Sequence, residues 1–385
     1  MSGQRVLVRV DFNVPLEDGR VADTARLEAA LPTLEELLAA GARLALVSHC
    51  GRPKGAPDPA YSLRPVAEEL GRLLGAPVAF AEDCVGEIAR ETVEALAPGQ
   101  ACVLENLRFH PGEKSNDPSF ADALAALADA YVDDAFGTAH RAHASVVGVP
   151  ERLARKAAGR LMVREVEALG RLLAEPGRPF AAVVGGAKIE GKADTLENLL
   201  PRLDLLVLGG GMANTFLAAL GYDMARSLVE ADRVEMAAGI LRTAEERGLE
   251  ILLPHQVVVT DDLAQPRRVE TVAVDRIPEG TMAVDVGPAF GERVRVALSQ
   301  AGTVLWNGPM GVFEKPPFDA GTMAVAEAVA TCPGYTVVGG GETVAAIHRA
   351  GVEGSISHVS TGGGASLELL AGKPLPGVVA LEKAS

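Results

Sequence analysis

Seven polar side chains in the first half of the chain have the types needed to grip a small anion: Asp11, Asn13, Arg26, His49, Arg52, Arg108 and Arg141. Five of these seven are cationic or can become so. Guanidinium groups hold carboxylates and phosphates through paired N–H donors, so the set could neutralise a molecule that carries both. Taken singly, each arginine is more often a solvated surface charge. That reading weakens because the four arginines fall after predicted strands, where Gly51 and Gly137 leave backbone room. His140 and His143 read as loop-stabilising, since no serine or carboxylate pattern beside them suggests a triad.

The second half repeats a different pattern. Four apolar runs empty into glycines: Val183-Val184-Gly185-Gly186, Val207-Leu208-Gly209-Gly210-Gly211, Val337-Val338-Gly339-Gly340-Gly341 and Val359-Ser360-Thr361-Gly362-Gly363-Gly364. Glycines at strand ends let backbone amides approach a phosphate at a helix start. Gly186 to Lys192 has the GxxxxGK spacing, but Ala193 follows where a P-loop needs Ser or Thr for Mg²⁺, so it is a near miss. What survives is Lys188 and Lys192, four apart and expected on one helix face near its N-terminus. Trp306 to Glu314 mixes apolar walls with Asn307 and Glu314, as an adenosine pocket requires, while Trp306 itself reads as core. In Gly340-Gly341-Glu342-Thr343 the amides and hydroxyl could face a phosphate and the carboxylate its metal.

Positioning these groups needs strand ends brought together, and the chain alternates accordingly. Strands are expected at Arg5–Val10, Arg43–Val47, Val78–Phe80, Ala101–Leu104 and Ala130–Val132, with helices at Thr24–Ala40, Leu63–Leu74, Gly86–Leu96 and Phe120–Asp129. Pro32 should kink or break the first helix. Glu151–Ala174, with Met162, Val166, Leu169 and Leu173 in one stripe, reads as a helix linking two domains or as one more surface helix of the first. Alternation restarts through Ala181–Val184, Leu205–Leu208, Ile251–Leu253, Thr281–Val284, Thr303–Trp306, Thr336–Val338 and His358–Val359. Each half is thus expected to be a doubly wound parallel α/β sheet.

A length of 385 residues favours two domains, and 48% apolar residues favour buried sheets. A net charge of −15 argues against nucleic acid as the main partner and makes an arginine cluster more informative. Cys50, Cys84, Cys102 and Cys332 show no CxxC spacing and read as reduced thiols. No apolar run approaches membrane-spanning length and Met1 to Arg5 is polar, so a cytoplasmic location is expected.

The stretches Arg5-Val6-Leu7-Val8-Arg9-Val10-Asp11-Phe12-Asn13-Val14-Pro15, Ser48 to Gly55, Leu104-Glu105-Asn106-Leu107-Arg108-Phe109, Ala135 to His143, Trp306 to Glu314 and Ser360 to Ser366 resemble those of the phosphoglycerate kinases, in family order and along essentially the whole chain. The resemblance implies two Rossmann-like domains joined by a long inter-domain helix and facing a cleft. Residues 1–155 would bind 3-phosphoglycerate, joined by a tail at 373–385, and 156–372 would bind nucleotide. Asp11, Asn13, Arg26, His49, Arg52, Arg108 and Arg141 would hold the glycerate ligand. Lys188, Lys192, Gly210, Asn307, Pro309, Glu314, Gly340, Gly341, Glu342 and Thr343 would hold ATP or ADP, with Glu314 on the ribose. Arg26, Lys188, Gly341 and Gly364 would serve the transferring phosphoryl group, with Mg²⁺ on the nucleotide near Glu342, where the family usually has Asp. A monomer that closes about a hinge is implied. Two other classes stay open on the residues alone. A dinucleotide-binding oxidoreductase would need an intact GxGxxG fingerprint and a distant acid, and a nucleotide-gated binding protein would keep the fold without turnover.

Overall fold

The computed structural model describes residues 2–383 and divides into two compact units, Met1–Glu167 with Pro374–Ser385, and Ala168–Lys373. In the first unit, six parallel strands form one sheet in the spatial order Val78–Ala81, Ala101–Leu104, Arg43–Val47, Arg5–Arg9, Ala130–Asp133 and Lys156–Ala158. Alternate residues of each strand enter opposite cores. Val6, Val8, Leu44, Leu46, Val103 and Val132 pack on one face. Leu7, Ala45, Val47, Cys102, Leu104 and Tyr131 pack on the other. Both faces are apolar, so these strands read as continuous hydrophobic runs rather than alternating ones.

The first helix, Ala25–Ala39, runs through Pro32 without the expected break. The lost hydrogen bond and ring clash cost about 3 kcal/mol. Leu27, Ala30, Leu34 and Leu37 are buried on the same helix, and each large apolar side chain returns roughly 1.5–3 kcal/mol. Burial wins. The expected helix over Glu151–Ala174 needs a larger correction, because it begins only at Arg160. Lys156–Ala158 pairs with Tyr131–Asp133 as the sixth strand. Gly159 follows, where a Cβ would lie 2.1 Å from Asp134 Oδ1. The helix start is capped from elsewhere: Thr33 Oγ1 accepts from Arg160 N at 2.8 Å, and Asp134 Oδ1 from Leu161 N at 2.9 Å and Met162 N at 3.3 Å. The buried stripe also shifts, to Leu161, Met162, Glu165, Ala168, Leu169 and Leu172. The division between the units falls within this helix, at Glu167/Ala168.

The second unit holds another all-parallel sheet, in the order Glu250–Leu252, Leu205–Leu208, Phe180–Val184, Thr303–Asn307, Tyr335–Gly339 and His358–Val359. Counted along the chain this is 3-2-1-4-5-6, so the order reverses between Phe180–Val184 and Thr303–Asn307. Ligands of open α/β sheets bind at such a reversal. The strand expected in this sheet at Thr281–Val284 forms instead at Met282–Val286 and pairs, antiparallel, with Gln256–Thr260. Val269–Ala273 completes that separate three-stranded sheet. A small separate core joins Val257 and Val259 of this sheet to Leu217, Met224 and Val274 from neighbouring segments. The last described helix, Pro376–Glu382, packs in the first unit, where Gly377 N donates to Ala139 O at 2.8 Å and Lys383 meets Glu151 at 3.1 Å. All four cysteines are free thiols, and Cys50, Cys84 and Cys102 are buried. No helix among the described residues is long and apolar enough to cross a membrane.

Candidate active site

In the first unit the strand ends gather most of the expected anion-binding residues. Asp11, just past the first strand, accepts from Arg26 Nη1 at 2.7 Å and holds that arginine in the first turn of its helix. Asn13 Oδ1 accepts from Gly51 N at 2.8 Å, and Arg108 Nη1 donates to Gly51 O at 2.6 Å. Asn106 fixes the same turn from the next strand end, donating to Cys50 O at 2.7 Å and Tyr61 O at 2.9 Å. Arg141 Nε lies 3.3 Å from His140 Nε2. Arg52 is exposed.

The convergence has electrostatic consequences. Burial first, then Arg9, Arg108, Arg141 and Arg26, depress the pKa of His49 well below its ordinary value, so the ring is neutral at pH 7. Of the five groups that are cationic or can become so, His49 is thus the uncharged one, and the arginines supply the positive charge. Burial, then Arg141 and Arg9, bring even Arg108 down to about 10. A chain of net charge −15 thus concentrates mutually repelling cations in one place, and an anion bound there relieves the repulsion. Arg108 Nε and Asp11 Oδ1 are buried without a hydrogen-bond partner among the described residues, a donor and an acceptor left for a ligand. Arg9 was missed from sequence because an arginine inside an apolar strand reads as a strand residue. It is 1% exposed and lies 3.1 Å from His49 Nδ1.

The second unit uses backbone instead. Lys192 Nζ turns back to donate to Gly185 O at 2.6 Å and Asn307 O at 3.2 Å, bridging the two strands where the order reverses. Burial lowers its pKa to about 8, against the opposing pull of Glu342. The expected shared helix face for Lys188 and Lys192 is not formed: the helix starts at Ala193, and both lysines precede it. Gly191 at φ +82° lies between them, a conformation that ends helical winding. Lys188 is exposed. Glu230, also missed, clamps this loop by accepting from Ile189 N and from Glu190 N.

The four glycine clusters, alike in sequence, divide into two kinds. A Cβ at Gly185 would lie 2.1 Å from Pro309 O, one at Gly209 2.3 Å from Met310 Sδ, and one at Gly210 2.6 Å from Gly186 O. Gly186 N already donates to Pro309 O at 2.7 Å and Gly210 N to Met310 O at 2.9 Å. These two clusters are glycine because three loops interlock, and the amides of Gly185, Gly186, Gly209 and Gly210 are occupied. A Cβ at Gly341 or Gly363 would meet nothing within 4 Å. Gly341 opens the helix Gly341–Ala350, with exposed Glu342 in its first turn, and Gly364 opens Gly364–Leu370. Thr343 is buried and its hydroxyl accepts from Gly308 N at 2.7 Å, so it ties the Asn307 turn to this helix. Gly186, Gly210, Pro309, Glu314 and Glu342 line a cavity of about 270 Å³ with apolar walls at Leu228, Val257 and Met310. Trp306 is fully buried, its Nε1 donating to Gly308 O at 2.9 Å, as core.

Clustered arginines in the first unit suit a small acid, and in the second a glycine helix start and an apolar cavity suit a nucleotide. The comparisons specify this further. The family model "Phosphoglycerate kinase" matches residues 1–373. The phosphoglycerate kinase of Moorella thermoacetica is 55% identical over 99% of this chain and 97% of its own. That of Salinispora arenicola is 54% identical over 99% and 96%. Among solved structures, phosphoglycerate kinase from Coxiella burnetii superposes with TM-score 0.90 at 41% identity, covering 100% of this chain and 97% of that one. The Pyrococcus horikoshii OT3 enzyme gives 0.87 at 34% identity, covering 99% and 96%. The chain belongs to the phosphoglycerate kinase family, and its activity is the glycolytic transfer of a phosphoryl group between 1,3-bisphosphoglycerate with ADP and 3-phosphoglycerate with ATP. The strand order alone would have admitted a dinucleotide-binding oxidoreductase; the occupied amides at Gly186 and Gly210 speak against it.

Proposed function

We propose that the first unit binds the glycerate ligand through Asp11, Asn13, Arg26, His49, Arg52, Arg108 and Arg141, and that the second binds the nucleotide through Lys188, Lys192, Gly210, Asn307, Pro309, Glu314, Gly340, Gly341, Glu342 and Thr343. The observation that carries this reading is the group of arginines set around neutral His49 in an otherwise acidic chain. A phosphate and a carboxylate on one three-carbon ligand match it, whereas a nucleotide needs the apolar walls of the cavity.

In the forward direction of ATP synthesis, an oxygen of the ADP β-phosphate attacks the acyl phosphate. The new P–O bond forms as the bond to the glycerate carboxylate breaks, releasing 3-phosphoglycerate. Such transfers depend on positioning and charge neutralisation rather than covalent catalysis, so no phosphoenzyme is needed. Arg26, steered by Asp11, and Lys188 balance charge on the moving group, helped by the amides at Gly341 and Gly364. The two ligands must meet away from water, which would hydrolyse the acyl phosphate, and this requires closure about a hinge.

Glu342 offers an oxygen donor, exposed and on the cavity wall, which fits Mg²⁺ held by one carboxylate, waters and the nucleotide phosphates. When bound, Mg²⁺ would neutralise phosphate charge. Asp83, Cys84 and His110 also bring possible ligand atoms within 4.8 Å, but thiol and imidazole donors do not suit magnesium. A cytoplasmic monomer is the corresponding cellular form.

The test is a coupled assay of ATP-dependent phosphorylation of 3-phosphoglycerate with each substrate varied. Arg108→Ala and Arg141→Ala should raise KM for 3-phosphoglycerate alone, and Glu314→Ala KM for the nucleotide alone. A crossed pattern overturns the assignment.

A further inference from the structure

Behind the arginines of the first unit lies a buried chain of groups that the binding roles leave unused. Glu113, on the short helix Pro111–Ser115, is 1% exposed. Ser145, fully buried, donates its backbone N–H to Glu113 Oε2 at 3.0 Å and its hydroxyl to Glu113 Oε1 at 2.7 Å. With that proton committed, Ser145 Oγ accepts from Arg9 Nε at 3.0 Å. Arg9 in turn reaches His49 Nδ1 through Nη2 at 3.1 Å.

The direction of every bond in this chain is forced. A carboxylate can only accept and a guanidinium can only donate. Burial would raise the pKa of Glu113, but His143, Arg9 and Ser145 together hold it below its ordinary value, so it is an anion at neutral pH. Arg9 therefore donates at both ends, and His49 Nδ1 must be the lone-pair nitrogen. A neutral imidazole carries one proton, so it resides on Nε2.

We propose that Glu113 and Ser145 are positioning residues that act through Arg9 to fix His49 as an Nε2–H donor toward the glycerate ligand. The inference rests on the assignment of His49 to that ligand. Its chemical point is the ligand's own charge. The opposite tautomer would turn a lone pair toward a carboxylate or phosphate oxygen, exchanging an attraction for a repulsion. A relay ending in a permanently charged guanidinium removes that tautomer without adding charge to the ring, and the buried Glu113 balances Arg9.

Two readouts test it. Long-range ¹H–¹⁵N spectra of the ligand-free protein report which His49 nitrogen is protonated, and steady-state kinetics report the consequence. The parent should show Nδ1 bare and Nε2 protonated. Ser145→Ala, which deletes a single oxygen, and Glu113→Gln should give a tautomer mixture. KM for 3-phosphoglycerate should rise on the order of tenfold, with KM for the nucleotide unchanged. If Glu113→Gln does not fold, Ser145→Ala decides alone. A parent ring protonated on Nδ1, or a pure Nε2–H ring in the variants, overturns the relay. A mixed tautomer with an unmoved KM for 3-phosphoglycerate leaves the relay standing and removes His49 from the ligand, and with it the positioning role.

Discussion

The two units are equipped for anions in opposite ways. The first uses side-chain charge: Arg26, Arg108 and Arg141 crowd a neutral His49, each tethered by a short polar contact. The second offers main chain: an unobstructed helix start at Gly341, with one half-buried lysine, Lys192, spanning two carbonyls. Guanidinium groups distinguish a carboxylate or phosphate by geometry and charge, so they suit a small acid that offers little else. Backbone amides are uncharged and need apolar walls beside them, so they suit a nucleotide whose base supplies binding energy elsewhere. Selectivity in the first unit should therefore be electrostatic, and in the second largely steric.

The largest expected effect strikes at charge. Arg26→Ala should lower kcat by about 10³-fold or more while leaving nucleotide affinity nearly intact. Near-normal turnover would remove Arg26 from the transfer step. Next comes the distinction between interlocking and open glycines. Gly210→Ala places a Cβ at φ +62° and 2.6 Å from Gly186 O, which should cost about 2 kcal/mol in denaturant unfolding. Gly341→Ala meets nothing and should hold or slightly raise stability while weakening nucleotide binding. Equal destabilisation of both would erase the distinction.

A smaller effect follows from Lys192. Its folded-state pKa of about 8 lies below the unfolded value, so the ammonium is charged below that pH and neutral above it. Phosphate favours the charged form. Nucleotide affinity should fall about tenfold from roughly pH 7 to pH 9, and binding near pH 8 should take up protons. Calorimetry in two buffers of different ionisation heat measures that uptake, and identical heats would refute it. In stability the sign is the reverse: between about 8 and 10.5 the unfolded chain binds more protons, so the cost of burying this charge disappears as pH rises. The finest test concerns Glu342. Glu342→Gln should raise the Mg²⁺ concentration needed for half-maximal turnover by about fivefold, whereas Glu342→Asp stays close to the parent. Superimposable titrations for Gln and parent would leave the metal to the phosphates alone.

Much of this was legible in sequence, and the gaps have physical causes. Strands buried on both faces announce themselves as apolar runs, and arginines at their ends stood out against an acidic chain. Arg9 did not, because its partners Ser145 and Glu113 are distant in sequence and nothing local marks the relay. The glycine clusters misled for a different reason. Room for a neighbouring loop and room for a phosphate both demand a missing Cβ, and only packing separates Gly210 from Gly341. The strand Lys156–Ala158 was invisible because three residues carry no period, and the helix-like stripe beyond it absorbed them.

The helix Pro376–Glu382 gives the chain a temporal order. The second unit is one continuous stretch, Ala168–Lys373, whereas the first is assembled from both sides of it. On the ribosome the first unit emerges early yet lacks the segment whose Gly377 rests against Ala139 and Val146. It must wait, incompletely sealed, while more than half of the polypeptide is made, whereas the second can close as soon as its own residues clear the tunnel. A chain stopped after Lys373 should therefore resemble a stalled nascent protein, with its first unit more open to protease than its second. Equal resistance in the two would show that the early-made unit is finished without its late-made helix.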